Sequence, residues 1–140
     1  IIPALYQLAE ILCGTDEKVL FNTPAYGYFL HAAEYSAVSV ITSPLKKSED
    51  GVFFLDYENF EKQCADPHCK LLFWCNPHNP TGRVWTEEEL QRVADIVERN
   101  NLWIISDEIH CDLLRCDKTH TPMAKIMPDY QKLLLLKHLI

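Results

Sequence analysis

An α/β chain built on a mainly parallel sheet is what this sequence predicts, and three observations predict it. Residues 71–74 and 102–105 are apolar runs of strand length, continuous in the way of strands covered on both faces. Between them Thr86 and Glu89 form a capping-box pair ahead of Leu90, Val93, Ala94 and Val97, which repeat at helical spacing. Strand, helix, strand at this length is a βαβ unit. Third, each strand runs into a polar cluster, Asn76-Pro77-His78-Asn79-Pro80-Thr81-Gly82 after the first and Ser106-Asp107-Glu108-Ile109-His110 after the second. In an open α/β sheet, ligands sit beyond the carboxyl ends of the strands, so both clusters would face one place.

The remaining elements follow in order. Residues 3–13 read as a helix with Pro3 in its first turn and Leu5, Leu8, Ala9 and Leu12 on one face, and Gly14 ends it. Residues 18–21 form a short strand stopped by Asn22-Thr23-Pro24, because proline restricts the residue before it and lacks a donor. Tyr26 then lies just past a strand end. A helix over 28–34 precedes a β-branched strand over 37–42, and 44–51 is a polar, charged loop. After an apolar run at 52–55, Asp56 caps a helix carrying Tyr57, Phe60 and Cys64, which Asp66-Pro67 closes. The strand at 70–74 and the capped helix come next, and Asn100-Asn101 stops the latter. Beyond Leu114 the pattern weakens, Pro122 and Pro128 break any long element, and 131–140 is apolar and nearly featureless.

Composition narrows the function classes. The 140 residues, 48% hydrophobic, suffice for one domain with a real core. A net charge of −7 without a Lys/Arg stripe argues against nucleic acid. No apolar run approaches the ~20 residues that cross a bilayer, and no signal peptide opens the chain. Starting at Ile1 without methionine, the sequence reads as an interior piece of something longer. The six cysteines lack any Cys-x-x-Cys pair or a histidine pair at ligand spacing, so metal is disfavoured and reduced, buried thiols of a cytoplasmic protein are expected. Only four glycines are present and none forms a Gly-x-Gly phosphate loop, which weighs against a generic nucleotide-binding domain.

Alone, Asn79-Pro80-Thr81-Gly82 is a turn, and Asp107-Glu108 is a helix cap or a solvated acidic pair. Together, and with Thr23-Pro24-Ala25-Tyr26, the two clusters resemble the signature of pyridoxal-phosphate enzymes of the aspartate-aminotransferase fold. The likeness is nearest to the bacterial cystathionine β-lyase or cysteine-S-conjugate β-lyase branch, and it extends from Ile1 to about Pro128. It implies a three-layer, doubly wound, mainly parallel sheet, with residues 1–140 a partial large domain of a fold-type-I enzyme. The segment before it, the lysine loop and the C-terminal small domain would be absent.

The resemblance also implies roles. Asp107 would keep the pyridine nitrogen of pyridoxal 5'-phosphate protonated, Asn79 would donate to the ring oxygen, and Tyr26 would stack on the ring face. His110 stands where many relatives carry a tyrosine, and a cofactor contact and a structural role stay equally open. His78 is typical of the lyase-like branch without an evident chemical task. The lysine that bonds the cofactor is not recognisable: Lys137 lacks its flanking residues, so no catalytic residue is assigned. The implied function is a fragment of a carbon–sulfur β-lyase acting on a small sulfur amino acid and releasing pyruvate, ammonia and a thiol, inactive as this chain alone, from a homodimeric parent. An aminotransferase of the same fold and a non-catalytic homologue are the alternatives.

Overall fold

In the computed structural model, which describes residues 1–115 and 117–137, the expected α/β architecture is present. The sixth cysteine, Cys116, and the last three residues of the apolar tail lie outside the described residues. The main sheet comprises β1 (Lys18–Thr23), β2 (Ser39–Pro44), β5 (Cys69–Cys75), β6 (Trp103–Asp107) and β7 (Leu133–Leu136), in the spatial order β2-β1-β5-β6-β7, and all its pairings are parallel. A two-stranded antiparallel ribbon, β3 (Lys46–Lys47) with β4 (Phe53–Phe54), stands apart.

Strand alternation sorts the core into two layers. Leu20, Leu72, Trp74 and Ile104 point to one side, where α3 (Tyr57–Cys64), α4 (Glu87–Arg99) and the short α5 (Met123–Ile126) cover them with Phe60, Leu90, Val93, Val97 and Met123. Val19, Phe21, Leu71, Phe73, Cys75 and Ile105 point to the other, under α1 (Ile2–Leu12) and α2 (Gly27–Tyr35) with Leu5, Ala9, Phe29, Ala32 and Ala33. Helices on both faces are what make the central strands β5 and β6 nearly continuous apolar runs. They also make the arrangement three-layered and doubly wound, as the resemblance implied.

Four boundaries differ from the sequence reading. The strand expected at 37–42 begins at Ser39, because Ala37 takes a left-handed φ of 53° to close α2, with Val38 N–H donating to Ala33 O at 2.9 Å. β1 continues through Asn22 and Thr23, which still pair with Ser43 and Pro44, and Pro24 interrupts only after them. The charged loop at 44–51 contains half of the β3–β4 ribbon, turned at Gly51, whose φ of +84° suits glycine. The featureless tail supplies β7, in register with Ile104 through Asp107. A leucine run carries no period, so sequence pattern cannot tell such a strand from a loop or a buried helix.

The connection that positions the site is the jump from β2 back across β1 to β5. β1 therefore has its sequence successor on one side and β5 on the other, and a crevice opens between their carboxyl ends at this change of direction.

Candidate active site

Three strand ends meet at that crevice. Tyr26 caps the N-terminus of α2 three residues after β1, Asn79 lies four residues after β5, and Asp107 is the last residue of β6. Together with His110, Ile109 and the opening residues Ile1, Ile2 and Pro3, they line one cleft of about 370 Å³, a volume ordinary for a small-molecule site. All four residues singled out in the sequence thus share a wall. A second cleft, about 580 Å³, adjoins it through Asn79 and His110 and is lined by His78, Arg83, Leu113 and Leu114 among others.

Asp107 sits in apolar surroundings at 2% exposure. Burial pushes its carboxyl above the ordinary carboxylate value, while the Ile109 N–H donated to Oδ1 at 3.2 Å and nearby His110 pull it back. Its backbone carbonyl accepts from Asn76 N–H at 3.0 Å, which ties the end of β6 to the start of the loop after β5. Among the described residues, Oδ2 has no hydrogen-bond donor. A buried carboxylate with spare acceptor capacity favours a cationic N–H in the cleft.

The loop carrying Asn79 is closed at both ends. His78 N–H donates to Arg83 O and Gly82 N–H to His78 O, each at 2.7 Å. Gly82 holds φ at +71°, and a Cβ there would meet nothing within 4 Å, so backbone conformation rather than space calls for glycine. The Asn79 side chain has no hydrogen-bond partner among the described residues, whereas its backbone N–H donates to Cys75 Sγ at 3.3 Å. Tyr26 is half-buried, its ring edge-on to Phe29 with centroids 6.0 Å apart, leaving a flat aromatic wall beside the cleft.

His78 is buried against Trp85, and burial pushes its imidazole down to about 4, so it is neutral at ordinary pH. Nδ1 lies 2.8 Å from Thr81 Oγ1. It braces the turn and lines the adjoining cleft rather than the one that holds Asp107.

The residue after Asp107 turns the other way. Glu108 is fully buried, accepting from Ser106 Oγ at 3.1 Å and Met123 N–H at 2.8 Å on Oε1, with His120 Nε2 at 3.0 Å and Lys137 Nζ at 3.6 Å from Oε2. The acidic pair is therefore neither solvated nor uniform: one carboxylate faces the cleft and the other anchors the segment before α5. This inward hub and the lining by Ile1, Ile2 and Ile109 were not foreseen, since a lone glutamate or isoleucine carries no sequence signal for such a place.

Tyr26, Asn79 and Asp107 supply, in one cleft, an aromatic face, an unpaired amide donor and a buried carboxylate. A flat, heteroaromatic, protonated ring fits that donor set. Among the described residues no cluster of three or more metal-ligating side chains occurs, and no helix is long and apolar enough to cross a membrane.

Comparison with known proteins agrees with this geometry. Residues 3–137 match the family described as aminotransferase class I and II. Protein MalY of Escherichia coli (strain K12) is 38% identical over 125 residues, which cover 87% of this chain and 32% of that protein. Cystathionine beta-lyase PatB of Bacillus subtilis (strain 168) is 32% identical over 130 residues, 93% and 33% of the two chains. The crystal structure of a PLP-bound C-S lyase from Staphylococcus hominis superposes with a TM-score of 0.93 at 40% identity, over 97% of this chain and 34% of that one. Cystalysin from Treponema denticola, whose crystal structure contains a pyridoxal 5'-phosphate cofactor, gives 0.90 at 30%, over 97% and 34%. This chain spans about a third of the length of the curated relatives it matches. With its sequence matched almost end to end and its sheet superposing on theirs, the chain belongs to the aminotransferase class I and II family.

Proposed function

We propose that this chain forms the ring-binding wall of a pyridoxal-phosphate-dependent carbon–sulfur β-lyase. The observation that carries the reading is the meeting of Tyr26, Asn79 and Asp107, from three strand ends, in one cleft at the change of strand direction. When bound, pyridoxal 5'-phosphate supplies an electron sink for a carbanion formed next to an amino group. Asp107 would hold the proton on the pyridine nitrogen, a charge-assisted contact that its burial would strengthen. Asn79 would offer its free amide N–H to the ring oxygen. Tyr26 would supply the aromatic wall against which the ring is held. His110, at the junction of the two clefts, faces both the ring site and the space where a substrate would extend.

The lyase relatives and the C-S lyase structure support β-elimination from a small sulfur amino acid, cystathionine or a cysteine conjugate, by the whole protein, as pyruvate, ammonia and a thiol. A homodimeric whole protein belongs to the same reading. A relative 31% identical whose name gives it aminotransferase activity supports transamination as the second reading. Full-length protein decides between them: pyruvate and thiol from the first, a keto acid with pyridoxamine phosphate from the second.

No lysine lines the Asp107 cleft among the described residues, and Lys137 Nζ lies toward Glu108 instead. This chain should therefore hold the cofactor reversibly and turn over no substrate. Equilibrium dialysis with pyridoxal phosphate, followed by an assay for pyruvate from an S-alkyl cysteine, tests both halves. Binding that D107A weakens on the order of tenfold or more, without sustained pyruvate release, is the expected result. Equal binding by D107A would remove the assignment, and sustained pyruvate would remove the claim of inactivity.

A further inference from the structure

Beneath the loop that presents Asn79 lies a thiol that the ring-binding reading does not use. Cys75 ends β5 at 3% exposure, and its Sγ makes two contacts: it accepts from Asn79 N–H at 3.3 Å and donates to Pro77 O at 3.2 Å. Its own carbonyl accepts from Trp85 Nε1 at 3.0 Å, so the strand end is pinned on the other side of the loop as well. One sulfur thus spans the turn from Pro77 to Asn79. A serine hydroxyl could make both contacts, whereas an alanine could make neither. Burial pushes the thiol up to about 12, which keeps the S–H donor in place throughout the working pH range.

We propose that Cys75 is a positioning residue for the cofactor site, its thiol clamping the Asn79 backbone so that the asparagine amide is aimed into the Asp107 cleft. The proposal rests on the ring-binding reading for its consequence, though not for the clamp itself. The amide of Asn79 is anchored only through this sulfur among the described residues, since its side chain is free for a ligand. Without the clamp, the loop between Asn76 and Gly82 keeps its outer closure at His78 and Arg83 but loses its inner one. The result would be an asparagine that samples several orientations, at an entropic cost to every ligand it must hold.

Two measurements on this chain test the proposal. The first needs no ligand: amide hydrogen exchange at Asn79 should accelerate by about tenfold in C75A while exchange in β6 stays unchanged, and C75S should return it to within about twofold of the parent. The second is pyridoxal-phosphate affinity by equilibrium dialysis, with the induced circular dichroism of the cofactor band as a readout of its orientation. C75A should weaken binding on the order of tenfold and reduce the induced signal, C75S should restore both, and in an N79A background C75A should cause no further loss. Equal Asn79 exchange in the parent and C75A would overturn the clamp. A full further loss in C75A/N79A would overturn the positioning role, because Cys75 would then act through general packing. If the parent chain binds no cofactor while the exchange contrast stands, the ring-binding reading fails and the clamp survives.

Discussion

At the level of single residues, the site trades stability for readiness. Burial raises the carboxyl of Asp107 above the ordinary value of 3.8. The folded state therefore holds that proton more tightly than the unfolded state does. Its contribution to stability is fully present at low pH and is lost as pH rises through the raised value, beyond which the buried charge is a cost. In D107N the amide oxygen can still accept from Ile109 N–H, and no titration remains. The ligand-free D107N chain should thus be more stable than the parent at pH 7 and indistinguishable near pH 3, read as thermal midpoints. A less stable D107N at pH 7 would contradict this. His78 works with the opposite sign of pH dependence. Its folded value of about 4 lies below the ordinary 6.5, so the unfolded chain binds a proton first and stability falls as pH drops from 6.5 to 4. The loss amounts to roughly 3 kcal/mol if the full difference is realised, and H78Q should flatten that part of the pH–stability curve.

Among the elements, α4 was the most legible from sequence, because its cap and its periodicity agree. Thr86 Oγ1 accepts from Glu89 N–H at 3.2 Å and Glu89 returns the contact to Thr86 N–H at 2.8 Å, as the spacing of the two residues implies. T86A should cost about 1 kcal/mol, seen as a lower urea midpoint with an unchanged slope. The end of α2 was less legible. No glycine marks it, and Ala37 adopts the left-handed conformation that a Cβ disfavours. A37G should therefore stabilise the chain by up to about 1 kcal/mol in the same titration, and a lower midpoint would contradict this. Strand β7 illustrates a different limit. It lies at the edge of the sheet with none of its leucines fully covered, and Leu133 to Leu136 carry no periodic signature that would mark a strand. The polar clusters that carry Asn79, Asp107 and His110 were legible as strand ends, whereas the choice of these residues and of Tyr26 as cofactor contacts came from the family resemblance. Cys75 was not legible, since it closes an apolar run and only its two contacts give it a task.

Across the whole molecule, the thiols divide by depth. Cys13, Cys64, Cys69 and Cys75 are buried, and desolvation pushes each upward, to about 11 for Cys13 and about 12 for Cys69 and Cys75. Cys111 is half-buried on the turn after His110. Alkylation of the native chain near neutral pH should modify Cys111 roughly tenfold or more faster than these four, mapped by mass spectrometry. Comparable rates would mean that the two core layers open far more readily than their packing suggests. The cleft itself joins distant stretches of the chain, for Tyr26, Asn79 and Asp107 are each fastened locally, to α2, to the β5 thiol and to Ile109. Among the described residues no hydrogen bond joins the three side chains to one another. A ring seated there would brace the start of α2 against the ends of β5 and β6, which the Asn76 N–H to Asp107 O bond already joins. At a hundredfold excess over its dissociation constant it would add about 2.7 kcal/mol to the folded state, felt at once in parts of the sequence some eighty positions apart. For this chain a small molecule would then serve as a long-range tie, holding the sheet's end together before any chemistry takes place.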